Sequence, residues 1–283
     1  MAVSTTRKLI YSLVGNKRGL MGCVVMLCVV VAALSAAWIS PHDPLKQDLS
    51  LRLKPPGWQE EGGEVYWLGT DHLGRDIASR IIYGSRVSLA ISVSAVFIAA
   101  FLGITIGLVT GYYRGWVDSI FMRLADVQLA FPFILLIIAV VAVLGANMRN
   151  IIVVLGITGW VVYARIVRSE VLSLREREFI TAAKALGVSH FKILFTHLLP
   201  NVAASCIVIA TLEMARMILM ESALSFLGLG IQPPTPSWGG MLADGRAYLF
   251  VSWWFATFPG VALMITILGV NMMGDWLHDF LLI

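Results

Sequence analysis

The sequence predicts an all-α polytopic membrane protein. Six transmembrane helices are expected, with a long extracytoplasmic loop after the first and a polar cytoplasmic loop between the fourth and fifth. Three observations carry this. First, hydrophobic residues make up 58% of the 283 and charged residues only 13%, with a mean hydropathy of +0.83; water-soluble domains do not have that balance. Second, six apolar runs each come close to the roughly 20 residues that cross a bilayer as a helix. Third, basic residues crowd into the short segments that six spans starting inside place in the cytoplasm: Arg7, Lys8, Lys17, Arg18, Arg114, Arg123 and six between Arg165 and Asn201. The short outer turns hold little beyond Arg149 and Arg246, which puts both termini in the cytoplasm. Loop basicity accounts for the net charge of +4, and no nucleic-acid partner is expected.

The first span is read over 20–39, within a unit 1–40. Small residues near its end resemble a signal-peptide cleavage site, but the run is long for a signal h-region and suits an uncleaved helix. Residues 41–86 form the extracytoplasmic loop. Its prolines and glycines exclude one long helix, while Trp58, Tyr66, Trp67 and Leu68 supply apolar anchors. Asp71 and Asp76 with Arg75 and Arg80 read as ion pairs and turn caps in preference to a metal site with His72. The remaining core, 87–283, carries five spans: 87–109, 120–144 with a bend at Pro132, 151–167, 200–226 and 251–274. Arg123 and Asp126, three apart, are expected to pair on the third span. Trp238, Trp253 and Trp254 suit a membrane interface. Cys23, Cys28 and Cys206 lie in apolar runs and read as small apolar residues.

Residues 165–201 are too polar for a span and too long for a tight turn. Ser173 with Glu176 three residues on reads as a capping box. A helix through Glu178, Phe179, Ala182, Ala183 and Leu186 then stops at Gly187, the usual left-handed C-terminal residue. Ser189 caps a second short helix bearing Phe191, Leu194, Phe195 and Leu198, and Pro200 fits the first turn of the next span. Adjacent alanines let another surface approach closely, which marks a docking element. A DNA-binding helix-turn-helix has a similar outline, but apolar runs on both sides hold this stretch at a membrane. A plain surface-lying amphipathic loop is the other alternative.

Span five carries Glu213, Arg216 and Glu221. A lone charge deep in hydrocarbon costs about 2.5–3.5 kcal/mol on insertion scales. Glu213 and Arg216 are one helical turn apart and can pair; Glu221 needs a partner on another helix or a wet cavity. Two readings stand: an ion pair that locks span five to its neighbour, or a pair that lines a translocation path.

Glu178, Ala182, Ala183 and Gly187, followed by Leu199 and Pro200, resemble the EAA loop of ATP-binding-cassette importer permeases. In that family this loop is the coupling helix that docks on the ATPase. The stretches WLGTDHLGRD (67–76) and FLGLGIQPPTPSWGGML (226–242) are similar to the C-type subunit of the dipeptide, oligopeptide and nickel permease branch. One departure is His197, where the general pattern has isoleucine. The resemblance covers nearly the whole chain. It implies a homologous B-type permease subunit, two ATPase subunits of D and F type, an extracytoplasmic substrate-binding protein and a membrane-lipid environment. It also implies that this chain binds no cofactor, with ATP and Mg held by the ATPases, and that it is not an enzyme. Di- or oligopeptides are the expected cargo, with nickel or another small solute as the alternative. A secondary transporter is expected to show internal repeats, and none is clear. A membrane-anchored helix-turn-helix sensor is the third class.

Overall fold

The computed structural model describes residues 11–60 and 63–282; Arg7 and Lys8 fall outside them. Asn16 caps the first long helix, α1 (Lys17–Leu34), by accepting from the Gly19 amide, and the short α2 (Ala36–Ile39) follows. The loop after α2 contains a two-stranded antiparallel hairpin, β1 (Trp58–Gln59) with β2 (Val65–Tyr66), in which Trp58 faces Tyr66. Then come α3 (Ile77–Tyr113), α4 (Gly115–Leu129), α5 (Phe133–Leu144), α6 (Met148–Leu174), α7 (Glu178–Ala185), α8 (Leu199–Phe226), α9 (Trp238–Arg246) and α10 (Trp254–Leu282).

Among the described residues, five helical segments are long and apolar enough to cross a membrane. The sixth span expected from the sequence exists only as α4 plus α5, bent by 89° at their junction. Pro132 stands at that junction. It has no N–H and it restricts the residue before it, so it ends α4 where a gentle bend was expected. Asp126 pairs with Arg165 on α6, not with Arg123, because the tightly packed α6 brings a guanidinium closer. Arg168 with Asp118, and Trp160 Nε1 donating to Gln128 Oε1 at 2.9 Å, fasten α4 to α6 along the same face.

α3 begins ten residues before the expected span. Asp76 caps it, accepting from the Ser79 amide at 2.8 Å. Its 37 residues measure about 55 Å, against a hydrocarbon core of about 30 Å. The helix therefore continues into the aqueous layer, where Arg80 and Arg86 no longer obey an apolar pattern.

Glycines recur at every fourth position of α3, Gly103, Gly107 and Gly111, and α6 lies directly on them. A methyl group on Gly107 would come within 2.8 Å of the Ala164 carbonyl oxygen. From α6, Gly156 meets Ile98 and Gly159 meets Ala99. Missing side chains let the two backbones approach closely, which is how helices associate where no hydrophobic effect drives them together. α3 and α6 thus form one stiff pair. At the other side of the subunit α1 packs on α10, with Gly19 against Trp276 and Gly22 against the Gly269 backbone.

In the loop that leads into α3 the expected ion pairs and caps are present. Asp71 holds Arg75 at 2.7 Å and Arg80 at 3.5 Å, all three buried. The Trp254 indole donates to the Thr70 carbonyl at 3.4 Å. Trp238, expected at an interface, is buried instead: its indole donates to the Ile81 carbonyl at 3.0 Å and its ring edge lies on Gly84. Trp254 is also buried, and Trp253 alone of the three is exposed.

Candidate functional site

The stretch 165–201 departs from the sequence reading at its start. Ser173 lies within the last turn of α6, and Arg177 occupies the cap position of α7 without a side-chain cap bond. The buried face of α6 runs on through Val167 and Val171 to its last turn, so no new helix starts at Ser173. For α7 and its stop the expectation holds. Gly187 has φ +73°, the Val188 amide bonds the Ala183 carbonyl and the Gly187 amide bonds the Lys184 carbonyl, both at 3.0 Å. This is a Schellman stop, which needs a residue tolerant of positive φ. Ser189 accepts from the Lys192 amide at 3.4 Å.

The expected second short helix does not end. The turn His190–Lys192 passes through a π-helical segment, Ile193–Leu198, into α8 without a break. Pro200 lacks the amide that a regular helix would use, and the widened segment precedes it.

α7 has two faces. Glu178, Phe179, Ala182 and Leu186 are exposed on one. Ile180 and Ala183 are buried on the other, in a cluster with Tyr112, Val171, Ile193 and Leu198. Of the two alanines expected to admit a partner, only Ala182 faces outward; Ala183 points into the subunit, because adjacent helical positions are about 100° apart. The next turns divide likewise: Leu194 and Leu198 face in, while Phe191 and Phe195 face out with rings 4.5 Å apart. Leu199 is half-buried on the same cluster and Pro200 is exposed.

Sequence reasoning missed what holds this loop to the membrane part. The Tyr112 hydroxyl lies 2.7 Å from His190 Nδ1, its carbonyl accepts from Arg175 Nη1 at 2.6 Å, and Lys184 Nζ sits 5.3 Å above its ring. The aromatic pair at the end of α3, Tyr112–Tyr113, was the available signal.

Within the membrane, Arg216 Nη1 lies 3.1 and 3.4 Å from the two Glu213 carboxylate oxygens, so the expected pair forms. The Arg216 guanidinium also stacks 3.9 Å from the Phe133 ring centroid, at the start of α5. Glu221 is fully buried. It takes hydroxyls from Ser225 at 2.8 Å and from Ser88, on α3, at 3.2 Å, which supplies the expected partner on another helix. The loop and the ion pair are not brought together: from Pro200 to Glu213 is about 20 Å of helix axis.

Outside the spans, burial pushes the His72 imidazole below its ordinary 6.5. Its ring lies against both Tyr248 and Phe255, with centroids 5.7 and 5.6 Å away, and those two rings are 6.1 Å apart, so the three form a cluster.

A family model described as "Binding-protein-dependent transport system inner membrane component" matches residues 103–282, and one for the "N-terminal TM domain of oligopeptide transport permease C" matches residues 4–56. The di/tripeptide transport system permease protein DppC of Pseudomonas aeruginosa is 42% identical over 94% of this chain and 88% of its own length. The dipeptide permease protein DppC of Alkalihalophilus pseudofirmus is 42% identical over 99% and 90%. The glutathione transport system permease protein GsiD of Escherichia coli is 42% identical over 90% and 83%. A solved structure titled as inward-facing conformations of the MetNI methionine ABC transporter aligns with a TM-score of 0.55 at 18% identity, covering 69% of this chain and 93% of that one; it shares the fold.

Proposed function

The chain belongs to the family of binding-protein-dependent transport system inner-membrane components, and from that premise we propose that it is the C-type permease subunit of an ATP-binding-cassette importer of short peptides. It is a multi-pass membrane protein and a transporter subunit. The observation that carries the reading is the loop at Gly187: a Schellman-stopped helix exposing Glu178, Ala182 and Leu186, braced from beneath by Ile180 and Ala183. Such a surface is rigid and suited to docking. In this reading Glu178, Ala182, Gly187, Leu199 and Pro200 form or frame the contact with the ATPase, and Ala183 supports it from inside.

The partners in this reading are a B-type permease, two ATPases that hold ATP and Mg, and an extracytoplasmic binding protein; this chain carries no catalytic group. Both termini and the loop lie in the cytoplasm of a bacterial inner membrane. Peptides are favoured over nickel because the relatives are named for di- and tripeptide transport, and those named for glutathione transport extend the class to a modified tripeptide.

The complex, reconstituted with its binding protein, should hydrolyse ATP faster with a dipeptide or glutathione and not with nickel. Stimulation by nickel alone would overturn the cargo. Cysteines at Gln59 and Ser189, in a background lacking Cys23, Cys28 and Cys206, should react with an impermeant reagent in intact cells at Gln59 only. Reaction at Ser189 would invert the topology.

A further inference from the structure

Arg216 has a position that a purely structural ion pair does not need. It lies about 26 Å along α8 from Leu199 and about 15 Å from Phe226, deep within the span. Its partner Glu213 is buried, with 7% of its side chain exposed, whereas 34% of the Arg216 side chain is exposed. One nitrogen, Nη1, meets Glu213; Nε and Nη2 have no bond among the described residues. The Phe133 ring holds the guanidinium plane from one side.

The face around it is uncovered. Leu212 and Leu219 are 48% and 47% exposed, and they lie within a helical turn of Arg216 on the same side of α8. Further along this stripe are Ser205, half-buried, and Asn201, exposed. A charged nitrogen at this depth does not face lipid, because hydrocarbon offers it no acceptor. The stripe must meet water or another protein. Asn201, Ser205 and Arg216 place polar groups at three levels of this stripe, and the guanidinium edge left without a bond among the described residues favours water.

We infer that Arg216 borders the aqueous path and takes the carboxylate of the passing solute on the nitrogens that Glu213 leaves free. The inference rests on the import reading above and adds a ligand group to it. Every free peptide carries a terminal carboxylate whatever its side chains, so one guanidinium can serve a cargo of varied sequence. Glu213 holds the guanidinium in place and keeps the site near neutral when empty, so the carboxylate is held weakly enough to leave. Phe133 couples the site to the broken helix α4–α5.

The test uses Leu219→Cys in the cysteine-free background, within the assembled complex in lipid nanodiscs, with and without ATP. Two methanethiosulfonates of similar size are compared, one bearing a sulfonate and one a trimethylammonium. Both should react in at least one nucleotide state, the sulfonate faster. Arg216→Gln should lower the sulfonate-to-ammonium rate ratio about tenfold, and Arg216→Lys should keep it. Where Arg216→Gln does not assemble, Glu213→Gln gives the same test with opposite sign, raising the ratio. A dipeptide should slow the sulfonate reaction and its C-terminal amide should not. No reaction in any state, a ratio indifferent to both substitutions, or equal protection by acid and amide overturns the proposal. Dipeptide-stimulated ATP hydrolysis by the same complexes is read in parallel. If it persists while the labelling fails, the import reading stands without Arg216; if it is absent while the labelling succeeds, the cargo is another anion.

Discussion

The Tyr112 hydroxyl and His190 Nδ1, 78 residues apart in the chain, share a 2.7 Å hydrogen bond that joins the end of α3 to the start of the helix leading into α8. Tyr112 also receives Arg175 on its carbonyl and Lys184 over its ring. One residue thus grips the loop between α6 and α8 at three places. Because α3 is packed on α6 through glycines, a displacement of the loop is transmitted to a two-helix unit and not to a single helix.

Tyr112→Phe removes the hydroxyl and keeps the ring. The net loss is about 0.5–1.5 kcal/mol, too small to prevent assembly. Membrane levels should stay normal while ATP hydrolysed per solute transported rises, measured in proteoliposomes. An unchanged ratio would remove Tyr112 from the coupling route.

The glycine seam gives a sharper result. Gly107→Val places carbon against the Ala164 carbonyl and Val167, an overpacking that costs about 1–3 kcal/mol or more. Folded protein recovered from membranes should fall. Gly15→Ala, which meets nothing within 4 Å, should leave it unchanged. Comparable recovery of both variants in size-exclusion chromatography would contradict a close α3–α6 contact.

In the loop, the two alanines should separate stability from docking. Ala182→Trp lengthens an exposed side chain and should leave the melting temperature unchanged while reducing co-purification of the ATPase. Ala183→Trp forces a large ring into the Ile180–Ile193 cluster and should lower the melting temperature. Gly187→Val puts a β-branched residue at φ +73°, at about 1–2 kcal/mol of strain, and should reduce both. Identical behaviour of the alanine variants would refute the two-faced description of α7.

Much of this was legible in the sequence, for identifiable reasons. The stop at Gly187, the cap at Asp76 and the Glu213–Arg216 pair depend on residues within four positions of one another, where helix geometry is fixed. Five of the six expected spans follow from hydropathy alone, while the sixth is the bent pair α4–α5. The orientation of Ala183 was not legible, because α7 has apolar residues on both faces and periodicity does not say which is covered. Arg165 with Asp126, and Tyr112 with His190, join distant segments and need the packed structure. The early start of α3 was hidden because hydropathy reports the membrane and not the helix.

Acid should weaken the loop before α3 through His72. Its pKa is lowered by burial from 6.5, so in the unfolded chain it takes up a proton near pH 6.5 while in the folded chain it does so only at lower pH. Above that pH both states are neutral and His72 contributes no slope; as pH falls through it, the unfolded state gains protons and stability drops. The melting temperature of the purified chain should therefore be lower at pH 5.5 than at 7.5, and His72→Gln should flatten the difference. An equal decline in His72→Gln would assign the acid sensitivity elsewhere.

The contact between α1 and α10 sets an order on biosynthesis. The Trp276 indole donates to the Ser12 hydroxyl across 264 positions of sequence, and Gly22 lies on the Gly269 backbone. At roughly 5–20 residues per second of translation, the first helix waits about 15–50 s for its mate to leave the ribosome. Throughout that interval its glycine face lacks the partner it meets in the finished subunit. Until the last helix arrives that face is covered by lipid, which a helix tolerates because its backbone bonds are satisfied internally.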